Sequence, residues 1–129
     1  MSDESAVNPT PDQLALVAGF PDDTPFVMCN LLKFAGPEGA RRYWEEYAPQ
    51  VTPLAEGAGG RTTTKGAVRH VIIGAAPHDW DAVWLVRWPS KAHFLAMMSH
   101  PDFAVTQEIR VAALERMALL LMTEFPPAP

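Results

Sequence analysis

The sequence predicts an α+β domain in which two long helices cover one face of a four-stranded antiparallel sheet. Four apolar or β-branched segments have the length of strands. Two longer segments with helical periodicity lie between the first and second strands and between the third and fourth. With a short helix before the first strand, the order is helix, then β-α-β-β-α-β, which is the ferredoxin-like pattern.

The first two elements have clear boundary signals. The stretch TPDQLALVAGF predicts a short helix that Thr10 caps, with Pro11 at its first position and Gly19 at its end. Gln13 stands three residues after Thr10, as a capping box requires. FVMCNLLKF, residues 26–34, is apolar and too short for a helix between its flanking prolines, so it predicts the first strand.

The first long helix follows in GPEGARRYWEEYAPQVTPLAEGAGG, which has an apolar stripe at helical spacing. Pro49 and Pro53 predict a kink in its second half, because proline removes a hydrogen bond and clashes with the preceding turn. The glycines of residues 57–60 end the helix. RTTTKGAVRHVIIG is β-branched and interrupted by Gly66, which predicts either one long bent strand or two short ones.

The stretch WDAVWLVRW, residues 80–88, has tryptophans at a spacing of four that fits a strand face and nearly fits a helix face. Its composition favours a strand. Pro89 follows directly, and a helix would have to stop there after barely two turns. We therefore predict the third strand here, with its tryptophans on one face.

The second long helix begins after Ser90, which is a natural N-cap residue. We predict that it breaks near His100 and Pro101, since proline cannot continue a helix, and that it extends to residue 117. ALLLMTEF, residues 118–125, predicts the last strand. One face of the sheet would then be apolar and without helices, which predicts a second copy of the chain as partner.

Composition and charge are those of one globular domain. The chain has 129 residues, a net charge of -5 and 10 lysines and arginines, which are scattered along it. No basic patch is available to neutralise phosphates, so no nucleic-acid partner is expected. We expect a disordered N-terminus over residues 1–8, a single domain over 9–125 and a loose tail over 126–129.

The N-terminus and the cysteine content predict a cytoplasmic protein. MSDESAVNPTPDQ lacks the basic start and the apolar run of a secretory signal. The apolar run of residues 117–122 is too short to span a bilayer, so no membrane association is expected. Cys29 is the single cysteine, which excludes an intrachain disulfide and fits a reducing compartment.

Several motifs of the chain resemble the family catalogued as domain of unknown function 1330. The most specific are NLLKF, GGR, the WPS that ends the third predicted strand and the SHPDF at the helix break. The resemblance covers about residues 8–124. That family belongs to the dimeric α/β barrel superfamily, so the resemblance implies a homodimer of two facing sheets. It implies no particular reaction, because the family has no established activity.

The same superfamily includes cofactor-independent monooxygenases, isomerase-like proteins and heme-degrading monooxygenases, which often bind ligands between the sheet and the helices. Heme degraders typically combine an Asn on the first strand with a Trp in the second long helix and a His further along. Asn30 matches the first of these. Met97 and Gln107 stand at the other two positions, so the resemblance argues against heme degradation.

Asn30 and His100 are the candidate catalytic residues. A polar amide in the middle of an apolar strand is costly to bury unless it is paired, so Asn30 could hold a phenol or quinone oxygen. The alternative is a structural bond to a neighbouring backbone group. His100 at the helix break could act as a general base near neutral pH. The alternative is a solvated or capping histidine.

The candidate substrate-binding residues come from the third strand and both long helices. Indoles stack on planar ligands, although most tryptophans on a sheet simply pack under a helix. An arginine can hold a carboxylate with two bonds, although a salt bridge to a helix acid is the more common arrangement. The residues are Trp84, Trp88, Tyr47, Met97 and Arg110.

Motifs for metals and common cofactors are missing from the sequence. It contains no H-x-x-x-H or H-E-x-x-H, no G-x-G-x-x-G, no P-loop and no G-x-S-x-G. We therefore expect neither a metal nor a cofactor. Two hypotheses remain: a homodimer that binds an apolar or aromatic metabolite, as a cofactor-independent monooxygenase or isomerase if it is an enzyme, or a non-catalytic dimeric structural or binding module.

Overall fold

A computed structural model of the protein describes residues 6–125. The described chain contains four strands. One helix precedes the first strand, and further helices follow the first and the third strands. In chain order the elements are α1 Pro11–Ala18, β1 Phe26–Phe34, α2 Gly36–Arg42, a π-helical segment Tyr43–Tyr47, α3 Ala48–Gly57, β2 Arg61–Ala67, β3 Ala82–Trp88, α4 Lys91–Met98, α5 Phe103–Ala113 and β4 Leu114–Met122.

The four strands form one antiparallel sheet in the order β2-β3-β1-β4. At the centre of the sheet, Asn30 on β1 lies opposite Trp84 on β3 and opposite Leu119 on β4. This is the predicted ferredoxin-like α+β fold with an additional N-terminal helix, and the fold prediction is confirmed. No helix among residues 6–125 has the length and apolarity that crossing a bilayer requires.

The capping box of α1 forms as predicted. The Thr10 backbone N–H donates to Gln13 Oε1 at 2.9 Å, and the Gln13 N–H donates to Thr10 Oγ1 at 3.2 Å. Pro11 occupies the first turn and Gly19 is the C-cap. No residue of α1 is buried, so local capping rather than core packing sets where this helix begins and ends.

The first long helix contains a π-helical segment that the sequence analysis did not predict. Its last hydrogen bond joins the Ala48 N–H to the Tyr43 carbonyl, five residues back. Pro49 follows directly and has no N–H to donate. The wider turn therefore falls just before the first proline, while Pro53 lies inside α3. The helix is irregular, as Pro49 and Pro53 predict, but the irregular turn begins at Tyr43, before both prolines.

The boundaries of the second half differ from the prediction. After β2 the chain runs from residue 68 to residue 81 without a further strand, so RTTTKGAVRHVIIG forms one strand of seven residues. The last strand begins at Leu114, four residues before the predicted start. Leu114 pairs with Phe34 and is buried, so long-range pairing overrides the helical tendency of this segment.

The helix-covered face of the sheet holds two clusters of buried side chains. One is centred on Leu32, Tyr43 and Trp84. The other is centred on Trp88 and Phe94, whose rings meet edge to face at 5.3 Å. On the opposite face, no helix of the described chain covers Leu120 and Met122, which are 51% and 41% exposed.

The predicted terminal segments lie largely outside the described residues, which exclude residues 1–5 and 126–129. Within the described part of the predicted disordered segment, Val7 is buried. The backbone carbonyl of Val7 and the side chain of Asn8 both accept hydrogen bonds from Arg110. Residues 7 and 8 are therefore fixed to α5 rather than free.

Replacing Gly39 by alanine tests the packing of α2 against the end of α5. A Cβ at this position would lie 2.5 Å from the Ala113 carbonyl oxygen, a backbone atom that cannot move alone. We expect the free energy of unfolding to fall by about 2 kcal/mol, since overpacking typically costs 1–3 kcal/mol. Chemical denaturation measures the change.

Gly57→Ala is the matched control, because a Cβ there meets no atom within 4 Å. We expect this variant to keep or slightly raise the free energy of unfolding, by about 0.5 kcal/mol. Equal stability of the two variants would contradict the close approach of α2 to α5.

Candidate functional site

A cavity of about 860 Å³ lies between the helix-covered face of the sheet and the surrounding helices. The segment from Ala6 to Phe20, which includes α1, forms part of its wall. Its volume is in the range of pockets that enclose drug-sized ligands. Six of the seven predicted site residues line it: Asn30, Tyr47, Trp84, Trp88, Met97 and Arg110.

The apolar end of the cavity is built from β1, β3 and α4. Met28 and Trp88 come from the sheet, and Phe94 and Met97 come from one face of α4. Phe20, just after α1, packs edge to face on the neighbouring Phe26 at 5.5 Å, which joins α1 to this cluster. The aromatic edges and thioethers give this end a surface suited to apolar or planar groups.

The polar end of the cavity is centred on Arg110 of α5, which is 7% exposed. Its Nε donates to Gln107 Oε1 at 2.6 Å, and its Nη2 donates to Asn8 Oδ1 at 2.7 Å. Its Nη1 donates to the Val7 carbonyl at 2.5 Å and contacts the Met117 sulfur at 3.0 Å. All four partners are neutral, and burial lowers the pKa of the guanidinium.

Two tyrosines from the π-helical segment lie beside Arg110. The ring centroids of Tyr43 and Tyr47 are 4.8 Å apart, and both side chains are buried and line the cavity. Burial raises the pKa of each phenol, and the positive charge of Arg110 only partly opposes this. Both hydroxyl groups are therefore neutral hydrogen-bond donors at physiological pH.

Asn30 lies on the cavity wall at the centre of the sheet and also bonds to the backbone. Its Nδ2 donates to the Trp84 carbonyl at 3.0 Å. The indole Nε1 of Trp84 donates to Thr62 Oγ1 at 2.9 Å, which fixes the ring. The bond uses one of the two amide N–H groups of Asn30. Its carbonyl oxygen and second N–H make no hydrogen bond within residues 6–125.

His100 is not brought together with the other predicted site residues. It lies between α4 and α5, is absent from the described cavity lining, and its side chain is largely exposed to solvent. Its Nδ1 accepts a hydrogen bond from the Asp102 N–H at 3.1 Å, as a capping residue would. The predicted break at Pro101 forms, but it turns His100 outward while Phe103 packs inward.

The titratable groups of the described lining are few. Besides Tyr43, Tyr47 and Arg110 they comprise Glu56, which is exposed. Within residues 6–125, no three side chains of His, Cys, Asp or Glu lie close enough together to hold a metal ion. The arrangement can donate hydrogen bonds to a negatively charged oxygen, but its buried part offers no carboxylate or imidazole to accept a proton.

Sequence reasoning missed part of the polar end. Tyr43 lies one helical turn from Tyr47 in the sequence, a spacing that amphipathic packing explains equally well. The contribution of Val7 and Asn8 had no sequence signal, because their partner Arg110 is about one hundred residues away in the chain.

The sheet order and the helix-covered cavity define a ferredoxin-like α+β domain. A solved structure of a protein of unknown function from Rhodopseudomonas palustris is similar over 94% of this chain and 98% of that chain, with a TM-score of 0.84 and 27% sequence identity. Its function is unknown, so the similarity adds no activity.

Two further solved structures share the fold at lower identity. A cofactor-independent oxygenase, SnoaB from Streptomyces nogalater, matches 84% of this chain and 99% of its own, with a TM-score of 0.58 and 16% identity. A dimeric ferredoxin-like protein of unknown function from Thermobifida fusca matches 82% of this chain and 97% of its own, with a TM-score of 0.51 and 15% identity. At these identities the similarity shows the fold alone.

No protein-family model matches the chain, and no curated protein matches it either. These two comparisons therefore give no support to the resemblance to the family of domain of unknown function 1330. What the structural comparison establishes is the ferredoxin-like fold.

A spectroscopic pH titration tests the environment of the two tyrosines, which are the only ones in the chain. Because burial raises the pKa of both phenols, we expect the native protein to show little tyrosinate absorbance at about pH 10.5, where a free tyrosine is largely ionised. The unfolded chain ionises first, so the free energy of unfolding falls as the pH rises above about 10.

The same titration in denaturant is the control and should give an ordinary midpoint near pH 10. A native protein that shows this ordinary midpoint would contradict the burial of Tyr43 and Tyr47.

Proposed function

We propose that the protein binds a small, mainly apolar, planar molecule with at least one oxygen atom in the cavity between sheet and helices. The observation that carries this proposal is the cavity itself, about 860 Å³ with an apolar end and a group of polar side chains at the other. Natural ligand sites have this combination of apolar walls and a few orienting polar groups.

The two indoles on β3 support a planar ligand. Trp84 and Trp88 lie four residues apart on one strand face, a distance of roughly 13 Å along the strand. Both line the cavity. A molecule with two or three fused rings could therefore contact both walls while its oxygen reaches the polar end.

The arrangement of donors favours a second candidate function, the cofactor-independent oxidation or isomerisation of an aromatic or enol metabolite. Asn30, the neutral hydroxyl of Tyr47 and the guanidinium of Arg110 all line the space in which an enolate or phenolate oxygen would lie. Donors fixed in place before the reaction stabilise such a charge as it develops. One fold neighbour is a cofactor-independent oxygenase, which supports the chemical class.

Isothermal titration calorimetry with naphthalene and 2-naphthol tests the binding proposal. We expect both probes to bind the wild-type protein, and 2-naphthol to bind more tightly because its hydroxyl reaches the polar end. In Asn30→Ala we expect the affinity for 2-naphthol to fall about tenfold, as for loss of one buried hydrogen bond, while naphthalene changes little.

Failure of both probes to bind at about 0.1 mM, with no rise in melting temperature, would sink the binding proposal and favour a non-catalytic structural module. Equal affinity of wild type and Asn30→Ala for 2-naphthol would remove Asn30 from the site while leaving the cavity proposal in place.

We also propose that the uncovered sheet face joins two copies of the chain. Its side chains include Leu120 and Met122, about half exposed in the single chain, and the neighbouring Cys29 and Leu31 on β1. An apolar face of this kind is costly to leave in water. The dimeric neighbour from Thermobifida fusca supports this assembly, and the free thiol of Cys29 supports a cytoplasmic location.

Leu120→Lys tests the dimer. We expect light scattering at micromolar concentration to give twice 14.1 kDa for the wild type and 14.1 kDa for the variant. The reason is that the dimer interface would bury an unpaired lysine in the variant. Val105→Lys is the control, since Val105 is 58% exposed on α5. A monomeric wild-type protein would contradict the proposed assembly.

A further inference from the structure

We propose that the ligand of the cavity is a carboxylate, and that its charged oxygens pair with Arg110 while its apolar body extends towards Trp88 and Met97. This inference rests on the proposed function, because it assigns a chemical class to the ligand of the same cavity.

Arg110 is a buried cation whose hydrogen-bond partners are all neutral. The guanidinium is almost fully buried, and its bonds go to a backbone carbonyl, two side-chain amides and a thioether. None of the ion pairs within residues 6–125 includes it. Burying a charge with neutral partners alone is unfavourable, and an anion in the cavity would relieve this.

Several other arginines of the chain differ from Arg110 in both exposure and partners. Arg41, Arg42, Arg87 and Arg116 are all more exposed, and each lies within ion-pair distance of a carboxylate. These more accessible guanidinium groups gain little from their partners, because water screens them. The buried arginine that lines the cavity is thus the one for which a counter-ion matters most.

The groups around Arg110 are also suited to a carboxylate. Gln107, Tyr43 and Tyr47 line the same end of the cavity, and burial keeps both phenols protonated. Protonated hydroxyls donate to a carboxylate and do not repel it. A carboxylate adds the attraction between opposite charges to the hydrogen bond, so it can compete with the neutral Val7 carbonyl for the guanidinium.

The geometry also gives the ligand a direction. The polar groups belong to the end near α5 and the N-terminal segment, whereas Trp88, Phe94 and Met97 close the other end. The carboxylate Glu56, on α3, lines the cavity but is exposed. A single negative charge on one end of an apolar molecule fits this division, and a charge at both ends does not.

The test compares 2-naphthoate with 2-naphthamide, which have nearly the same shape but differ in charge. Isothermal titration calorimetry at about pH 7.5, where the carboxylate is fully ionised, gives both dissociation constants. We expect the wild-type protein to bind 2-naphthoate at least tenfold more tightly than 2-naphthamide, the ratio typical of a buried charge-assisted hydrogen bond.

Gln107→Glu is the decisive variant, because it only replaces the amide nitrogen by oxygen and places a carboxylate where the amide oxygen lies 2.6 Å from Arg110 Nε. The arginine then has an internal counter-ion. We expect the preference for 2-naphthoate to disappear or reverse, with a melting temperature at least as high as that of the wild type. Arg42→Gln on the surface of α2 is the control and should keep the tenfold preference.

The outcomes separate this inference from the proposed function. Equal binding of the two probes by the wild type would overturn the carboxylate assignment and leave the cavity as a site for neutral molecules. A preference that survives in Gln107→Glu would overturn the role of Arg110. Failure of both probes to bind would overturn the binding function itself, and the carboxylate inference with it.

Discussion

The pairing of β1 with β3 is the contact on which the rest of this structure depends. In this register Phe26 lies opposite Trp88 and Asn30 lies opposite Trp84. Because side chains alternate along a strand, a shift of β3 by one residue would turn both indoles to the uncovered face, while Asn30 on β1 would stay on the covered one. The register therefore fixes the floor of the cavity and the apolar character of the opposite face at the same time.

The cavity persists because its two ends cannot be closed by the same kind of packing. The π-helical segment presents Tyr43 and Tyr47 on consecutive turns, and Arg110 needs acceptors rather than aliphatic neighbours. At the other end the rings of Trp88 and Phe94 meet edge to face. Polar groups therefore line one end of the space and aromatic edges the other.

Much of the fold and part of the candidate site could be predicted because their signals are local. Alternation along one strand is enough to place Trp84 and Trp88 on a common face, and caps and prolines mark where helices begin. Contacts between distant segments have no such signal. The start of the last strand at Leu114 is decided by its pairing with β1, and the bond between Val7 and Arg110 joins the two ends of the chain.

The wall formed by α1 differs from the other walls in how it is constrained. This helix has no buried side chain, and its capping box supplies its boundaries locally. A substitution at Leu14, which lines the cavity but belongs to neither buried cluster, therefore alters the cavity without disturbing the core under the sheet. Under the proposed binding function, substitutions in α1 would change which molecule is accepted without changing the fold. Divergence of specificity in such chains should concentrate in the residues before the first strand.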